Sequence, residues 1–383
     1  MGLANEFEVL VVGGGPSGAT CALNLAASGV EVALLEKESI PRFKLCAGGL
    51  SRRAQRHLGL DVSAAILNHV EALELLGHHR LRLRKESTTL FGSIVDRRRF
   101  DSIIVHEARK AGCVVIDNAE VRKATFADSD AKLTCGGGET FRSRAVLGAD
   151  GARSVIRRSL GLKRLKHHGV TVMFELEPNG PATLAENVIK FDFGVVRDGY
   201  VWIFPRGKRF SVGLVTSRCR VSDPKSRILS YVAEDEALSG GFDVRFRGGS
   251  VVPFWTGEHA LGNGGCILAG DAAGLIDSFV GEGLSWAIRS GQLAASAILS
   301  TRKRSRSYRH LHSAYFGLLK QEVLPELRRA LWFGRFAYKC PELVFKGVSK
   351  LAHNRDLLGK LAQNEIPYRS LIADMLKQLV RLR

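Results

Sequence analysis

Apolar and polar positions divide the chain into stretches of different period. Residues 8–12 (Glu-Val-Leu-Val-Val) form a short apolar run of strand type. Gly13-Gly-Gly-Pro-Ser-Gly18 interrupts it. An Ala- and Leu-rich helical stretch then runs to Ser28, and Gly29 marks its predicted end. Residues 31–36 read as a second buried strand, which completes a β-α-β start within about 30 residues. Strand-type patterns occupy 69–95. Helical periodicity covers 97–111 and stops at Gly112, and strands return from Val114 to Val146. The block from 165 to 218 alternates in strand fashion at Val170–Glu175, Asn187–Phe193, Tyr200–Phe204 and Phe210–Thr216. A helix is predicted near 224–238, a strand at Cys266–Ala269, and helices from about 281 onward.

Two α/β-type blocks thus flank a strand-rich one, with no internal repeat and no low-complexity tract. The order predicts an α/β fold, α+β overall: a discontinuous Rossmann-like nucleotide domain, an inserted antiparallel sheet and a helical C-terminal segment. The boundaries read as 1–68 with 96–164 and 251–300 for the nucleotide domain. They read as 69–95 with 165–250 for the inserted sheet and 301–383 for the helical segment.

Composition narrows the class. Hydrophobic residues are 45% and charged residues 25% of 383, which suits a folded globular protein and excludes a disordered one. The net charge is +18, and it is unevenly placed. Residues 301–383 hold 18 Lys/Arg against 6 Asp/Glu, leaving +6 for the first 300. Such an excess looks for an anionic partner. The seven cysteines form no C-x-x-C, and no basic leader precedes an apolar stretch. A reducing cytoplasm is the simplest expectation. No run of 18 apolar residues is present, so no spanning helix is expected. His78-His79 and His167-His168 lack partners at ligand spacing, so no metal is expected. Cys135-Gly-Gly-Gly138 reads as a hairpin turn.

Gly13-x-Gly15-x-x-Gly18 lies between strand and helix, where glycines allow a tight turn and close approach of backbone to a pyrophosphate. The helix N-terminus behind Pro16 and Ser17 offers free N–H groups to phosphate. Glu36, followed by Lys37, closes the second strand where an acid binds ribose hydroxyls. This fingerprint does not separate FAD from NAD. Two later segments do: Ala145-Val-Leu-Gly-Ala-Asp150-Gly151 and Cys266-Ile-Leu-Ala-Gly270-Asp271, the second followed by Gly281-Glu-Gly283-Leu284.

Together these three segments resemble the dinucleotide, Asp-Gly and Gly-Asp motifs of FAD-dependent oxidoreductases with the p-hydroxybenzoate hydroxylase fold. The resemblance implies that Asp271 binds the ribityl hydroxyls and that Gly283 and Leu284 offer backbone N–H groups to the flavin. It also places Val121 beside the adenine and Arg97 near the cofactor. Read alone, Arg97 could equally be a surface charge at a helix start. Pro41-Arg-Phe-Lys-Leu-Cys46-Ala47-Gly48-Gly49, the Tyr200-x-Trp202-x-Phe204-Pro205 motif and Ile366-Pro-Tyr-Arg-Ser-Leu371 are similar to segments of the geranylgeranyl reductases. Ala47 departs from that pattern, where many members carry Gly, and alanine disfavours a left-handed turn there.

Tyr200, Trp202 and Phe204 share one strand face, which either walls an apolar pocket or belongs to ordinary core. Cys46 is either an inert thiol or, beside Lys44 and against the flavin, the candidate catalytic residue. The family implies hydride delivery from reduced FAD to a C=C bond of an isoprenoid chain, with a proton reaching the other carbon. NAD(P)H or another electron donor would reduce the FAD. An aromatic monooxygenase shares the fold and its FAD motifs, and a non-catalytic lipid-binding or redox-sensing flavoprotein is the alternative of another class. The basic tail, with Trp332, Phe333, Phe336 and Tyr338 among its cations, is expected either to dock on an anionic membrane at its inner face or to cap the domain. No nucleic-acid module is visible, and nothing in the sequence sets the oligomeric state.

Overall fold

The computed structural model describes residues 5–352 and 367–373, apart from 78–80, 87–89, 128–129, 166–168, 181–184, 218–221, 236–237, 239, 258–259 and 305–306. Both histidine pairs, Cys219 and Ile366 lie outside the described residues.

The chain opens β1 (Glu6–Val12), α1 (Pro16–Ala27), β2 (Val32–Leu35), β3 (Gly49–Ser51), α2 (Arg52–Leu58), β4 (Ile66–Val70), β5 (Ala72–Leu76), β6 (Arg82–Glu86) and β7 (Gly92–Val95). It continues α3 (Arg97–Lys110), β8 (Val114–Ile116), β9 (Val121–Ala127), β10 (Asp130–Cys135), β11 (Thr140–Gly148) and α4 (Val155–Ser159). Then come β12 (Gly169–Pro178), β13 (Val188–Asp192), β14 (Gly199–Arg206), β15 (Arg209–Thr216), α5 (Pro224–Glu234) and β16 (Phe242–Val252). The rest is β17 (Gly262–Asn263), β18 (Cys266–Leu268), α6 (Leu284–Arg304), α7 (Leu311–Glu322), α8 (Leu324–Lys339) and α9 (Pro341–Ala352).

The first sheet runs β17-β18-β11-β1-β2-β8, parallel from β18 to β8, with the β9–β10 hairpin attached to β11. Val9, Leu10 and Val11 are fully buried in it, where α1 packs on β1 and β2 and α3 and α6 pack on α1 in one apolar cluster. Proline at the first turn starts α1, and Gly29, at φ +71, lies just past its end. Asp96 caps α3 by accepting from the Arg98 N–H at 2.8 Å.

The second sheet runs β16-β12-β15-β14-β13-β5-β6. It is antiparallel except where β13 pairs parallel with β5. Residues 92–95, which the sequence joins to this sheet, pair instead with β3 and β4 in a small third sheet. The physical reason is close backbone approach: a Cβ on Gly92 would sit 2.5 Å from the Leu50 carbonyl oxygen. Val201 and Ile203 of β14 turn toward α5 and its apolar cluster, leaving the opposite face to the aromatic residues. No helix among the described residues is long and apolar enough to cross a membrane.

Candidate active site

One continuous cavity of about 1600 Å³ lies between the two larger sheets. It brings together Gly13, Gly15, Pro16, Ser17, Glu36, Lys37, Cys46, Ala47, Gly49, Arg97, Val121, Asp150, Gly270, Asp271, Gly283 and Leu284 with Tyr200, Trp202 and Phe204. Two residues expected in the site fall elsewhere. Gly18 does not line the cavity. It is where α1 packs on the turn, and a Cβ there would meet the Gly13 carbonyl oxygen at 2.0 Å. Pro205 sits on the far face of β14, because alternation along a strand groups it with Val201 and Ile203.

At the nucleotide end, Gly13 adopts φ +104 so that the turn can pass under Ala149. Gly15 is open, its nearest neighbour being the Arg42 guanidinium at 3.5 Å from an added Cβ. Glu36 is buried and accepts from the Gly14 N–H at 2.7 Å. It also pairs with Arg42 at 3.2 Å; Arg42 pairs with Asp101 at 3.2 Å, and Asp101 takes two hydrogen bonds from Arg97 at 2.8 and 3.0 Å. Four alternating charges, three of them buried and Arg42 nearly so, therefore link the end of β2 to the start of α3. Arg42 and Asp101 fall inside or beside segments that the sequence marks, Pro41–Gly49 and the start of α3, but nothing in the sequence pairs the two. Arg97 is 6% exposed, which overturns its reading as a surface charge. Burial opposes its charge, but Asp101 and then Cys46 hold it, so its pKa is raised. Among the described residues, Lys37 pairs only with Glu38, at the surface.

Asp150 accepts from the Val155 and Ile156 N–H groups through Oδ2, at 2.6 and 3.1 Å, and so caps α4. Its other oxygen, Oδ1, is buried with no hydrogen-bond partner among the described residues, as is Ser17 Oγ. Burial pushes the Asp150 carboxyl up. Gly270, at φ +56, packs on Ser17 and places Asp271 in a short turn at the cavity wall. Gly283 and Leu284 open α6, whose first-turn N–H groups have no intrahelical acceptors. Open backbone at Gly15, orphaned polar atoms at Ser17 and Asp150, and a helix N-terminus suit a phosphate-bearing dinucleotide.

In the middle of the cavity, Cys46 Sγ accepts from the Gly48 N–H at 3.4 Å and lies against Arg97. The left-handed residue of this turn is Gly48, at φ +87, so Ala47 brings no backbone strain. Beyond it, Tyr200, Trp202 and Phe204 line one wall. Phe191 meets Tyr200 and Phe204 edge-on, with ring centres 5.3 and 5.2 Å apart. Gly213, opposite Trp202, leaves room for the indole, whose Nε1 donates to Ser211 Oγ at 3.1 Å. The aromatic face is thus both well packed and cavity-lining.

Sequence reasoning missed the far wall. Phe333, Ala337, Val344, Phe345, Val348 and Leu371 from the C-terminal segment close the apolar arm. Phe333 is buried, and Tyr338 donates to the Phe279 carbonyl at 2.9 Å, so neither faces outward as expected; Trp332 (63%) and Phe336 (43%) do. Tyr368 donates to Asp277 Oδ2 at 2.8 Å, while Asp277 Oδ1 accepts from the Phe279 and Val280 N–H groups. Burial raises the Asp277 carboxyl to about 6. Tyr200 donates to the Val280 carbonyl at 2.6 Å. The loop before α6 is therefore clamped by three tyrosines. The apolar stripe of α8 was the available signal: Leu327, Ala330, Phe333 and Ala337 recur at helical spacing.

The site belongs to a flavoprotein: residues 6–315 match the family described as the FAD binding domain, and the chain belongs to that family of FAD-dependent oxidoreductases. Within it, the chain falls among the geranylgeranyl reductases. It is 31% identical to digeranylgeranylglycerophospholipid reductase 1 of Methanopyrus kandleri over 76% of this chain and 79% of that one. It is 28% identical to the menaquinone reductase of Mycobacterium tuberculosis over 83% and 82%. Its fold matches a geranylgeranyl bacteriochlorophyll reductase-like protein of Thermoplasma acidophilum with a TM-score of 0.78, at 23% identity over 97% and 95% of the two chains.

Glu36→Ala removes the acceptor for Gly14 and one partner of Arg42. FAD binding to the variant is expected to weaken by roughly 1–3 kcal/mol, read by fluorescence titration of the apoprotein. FAD affinity equal to wild type would show that Glu36 does not hold the ribose.

Proposed function

We propose that the protein is a reductase that saturates C=C bonds of an isoprenoid chain lying in the aromatic arm. The observation that carries this reading is the continuity of the cavity: the nucleotide half runs without a break into an arm walled by Tyr200, Trp202, Phe204, Phe191 and Phe333. Such aromatic walls give an alkene apolar contact and keep water from it. The relatives named above are reductases whose names carry isoprenoid lipids or quinones, in keeping with it.

In this reading Glu36 and Val121 hold the adenosine end of FAD, and Gly13, Gly15, Pro16 and Ser17 hold the pyrophosphate. Asp150 and Asp271 hold the sugar chain, while Gly270, Gly283 and Leu284 support the flavin end with Cys46, Ala47 and Gly49 nearby. When bound, FAD supplies the hydride, having been reduced by NAD(P)H or another donor. Tyr200, Trp202 and Phe204 hold the chain in position, and proximity does the rest of the protein's part. Cys46, fixed by Gly48 and Arg97, tunes the redox half-reactions. Cys46→Ser is expected to retain FAD while changing the rate of flavin reduction or of alkene turnover by stopped-flow absorbance; unchanged rates in both would reduce Cys46 to packing. The exposed Trp332, Phe336 and Leu343, with Arg335 and Lys346 among them, rest on an anionic membrane surface. Salt-sensitive sedimentation with acidic vesicles reads this contact, and its absence at low salt would remove it.

The test of the reaction needs no assumption about the donor. Protein reduced by dithionite without oxygen is mixed with geranylgeranyl substrates, and the products are weighed. A gain of two hydrogens per double bond is expected. Oxygenated products on admitting air, with no saturated ones, would sink the reading in favour of a monooxygenase.

A further inference from the structure

The apolar arm can be followed ring by ring away from the Cys46 turn. Phe204, which faces Gly49, meets Phe191. Phe191 stacks on Phe193 with ring centres 6.4 Å apart, Phe193 on Phe279 at 5.9 Å, and Phe279 meets Phe333 of α8 edge-on at 5.0 Å. Phe279 and Phe333 share an apolar cluster with Val344 and Val348 of α9. Val344, Phe345 and Val348 lie on one face of α9 and line the cavity. The opposite wall is β5. Leu73 and Leu75, with Gly77 just past the strand, line the cavity and alternate with Ala72 and Glu74, which turn to the other side of the sheet. The two walls meet at Gly77. A Cβ there would lie 2.9 Å from Phe345 Cδ2 and 3.3 Å from Cε2, so the ring fills the place of the side chain that would follow Leu73 and Leu75. Gly77 is not left-handed, so its backbone makes no demand for glycine; the ring does. The support behind the ring is firm. The Gly77 N–H donates to the Leu81 carbonyl at 2.8 Å, and the Phe193 N–H donates to the Leu76 carbonyl at 2.9 Å. A hydrocarbon chain that follows the rings from the flavin end thus runs up against Phe345, backed by main chain.

We propose that Phe345, seated on Gly77, is the stop of the arm: it fixes how much chain extends beyond the double bond being reduced, and so selects isoprenoids by length. The inference rests on the proposed function, since it takes the isoprenoid to lie along the rings. The head group plays no part in it. A smaller residue at Phe345 lengthens the arm, and a side chain on Gly77 pushes the ring into the arm and shortens it.

Calorimetric titration of the FAD-loaded protein with farnesol, geranylgeraniol, geranylfarnesol and hexaprenol, all in one detergent, tests it. The wild type is compared with Phe345→Ala, the milder Phe345→Leu and Gly77→Ala. Phe345 is half-buried, so its variants are expected to fold and keep FAD; should alanine fail to fold, leucine and the glycine variant decide. Wild-type affinity is expected to rise with each isoprene unit until the arm is full, and to drop at least about tenfold with the first chain that is one unit too long. Phe345→Ala is expected to move this break to a longer chain, Phe345→Leu to soften it, and Gly77→Ala to move it to a shorter one. A variant that is merely less stable would weaken all four alcohols alike and leave the break in place. No break in the wild-type series, or a break at the same chain in every variant, overturns the inference. A break that stays while binding becomes faster makes Phe345 a gate at the mouth of the arm and overturns it as well. The same proteins, reduced with dithionite, are then given each alcohol. A break that moves, with no saturated product, upholds the stop and overturns the proposed function; saturated products with no break do the reverse.

Discussion

Asp101→Ala should lower the stability of the protein by about 3–5 kcal/mol, the usual effect of removing one partner from a buried ion pair. Asp101 is 3% exposed and carries both Arg97, through two hydrogen bonds, and Arg42. Without it, Arg42 retains Glu36, but Arg97 is left in the interior with only the Cys46 sulfur against it. The loss is therefore the desolvation of an unmatched guanidinium rather than the net worth of a contact. Asp101→Asn keeps one acceptor and the side-chain volume, so it should fall between the two. Urea denaturation of both variants at neutral pH checks this. A loss under about 1 kcal/mol for alanine would mean that water reaches Arg97 and that the four charges behave as a surface network.

The second large effect separates two glycines of one motif. Gly18→Ala drives a Cβ to 2.0 Å from the Gly13 carbonyl oxygen, which is backbone and cannot swing away. Helix α1 must then lift from β1. Overpacking of this kind costs about 1–3 kcal/mol, and a backbone clash belongs at the upper end. Gly15→Ala meets nothing nearer than the end of Arg42 at 3.5 Å, and its methyl projects toward the cavity. As apoprotein it should melt like the wild-type apoprotein and yet lose FAD on gel filtration. Gly18→Ala should lose both. If Gly18→Ala melts like wild type, the helix sits more loosely on the turn than described. If Gly15→Ala elutes with its full complement of FAD, the pyrophosphate lies outside this turn.

Local signals carried much of the fold. The β-α-β start, the hairpin at Cys135–Gly138 and the strand run from 170 to 216 follow from period and turn chemistry over a few residues. Pro205 was also within reach, because the same alternation that aligns Tyr200, Trp202 and Phe204 puts it on the opposite face. What could not be read were partners far apart in sequence. An amphipathic helix announces that one face is covered but not what covers it. Phe333 and Trp332 are neighbours in the chain, one in the cavity wall and the other in solvent. Arg42 and Asp101 look like ordinary surface charges until β2 and α3 bring them together. Tyr368 meets Asp277 across 91 residues, a distance at which no periodicity speaks.

That last contact gives the protein an order of assembly. The motifs of the nucleotide half lie early, from Gly13 to Leu284, and a ribosome has delivered all of them with α7, α8 and Tyr368 still unmade. The loop from Asp277 to Gly283, however, is held by Tyr338 and Tyr368, and Tyr368 is itself fixed by its N–H on Glu326 Oε2 at 2.9 Å. The clamp described here exists only after Tyr368 has been synthesised and has left the exit tunnel. A chain that has grown only as far as α6 therefore has this loop unfastened by Tyr338 and Tyr368, and the segment that fastens it also brings in the residues that close the apolar arm.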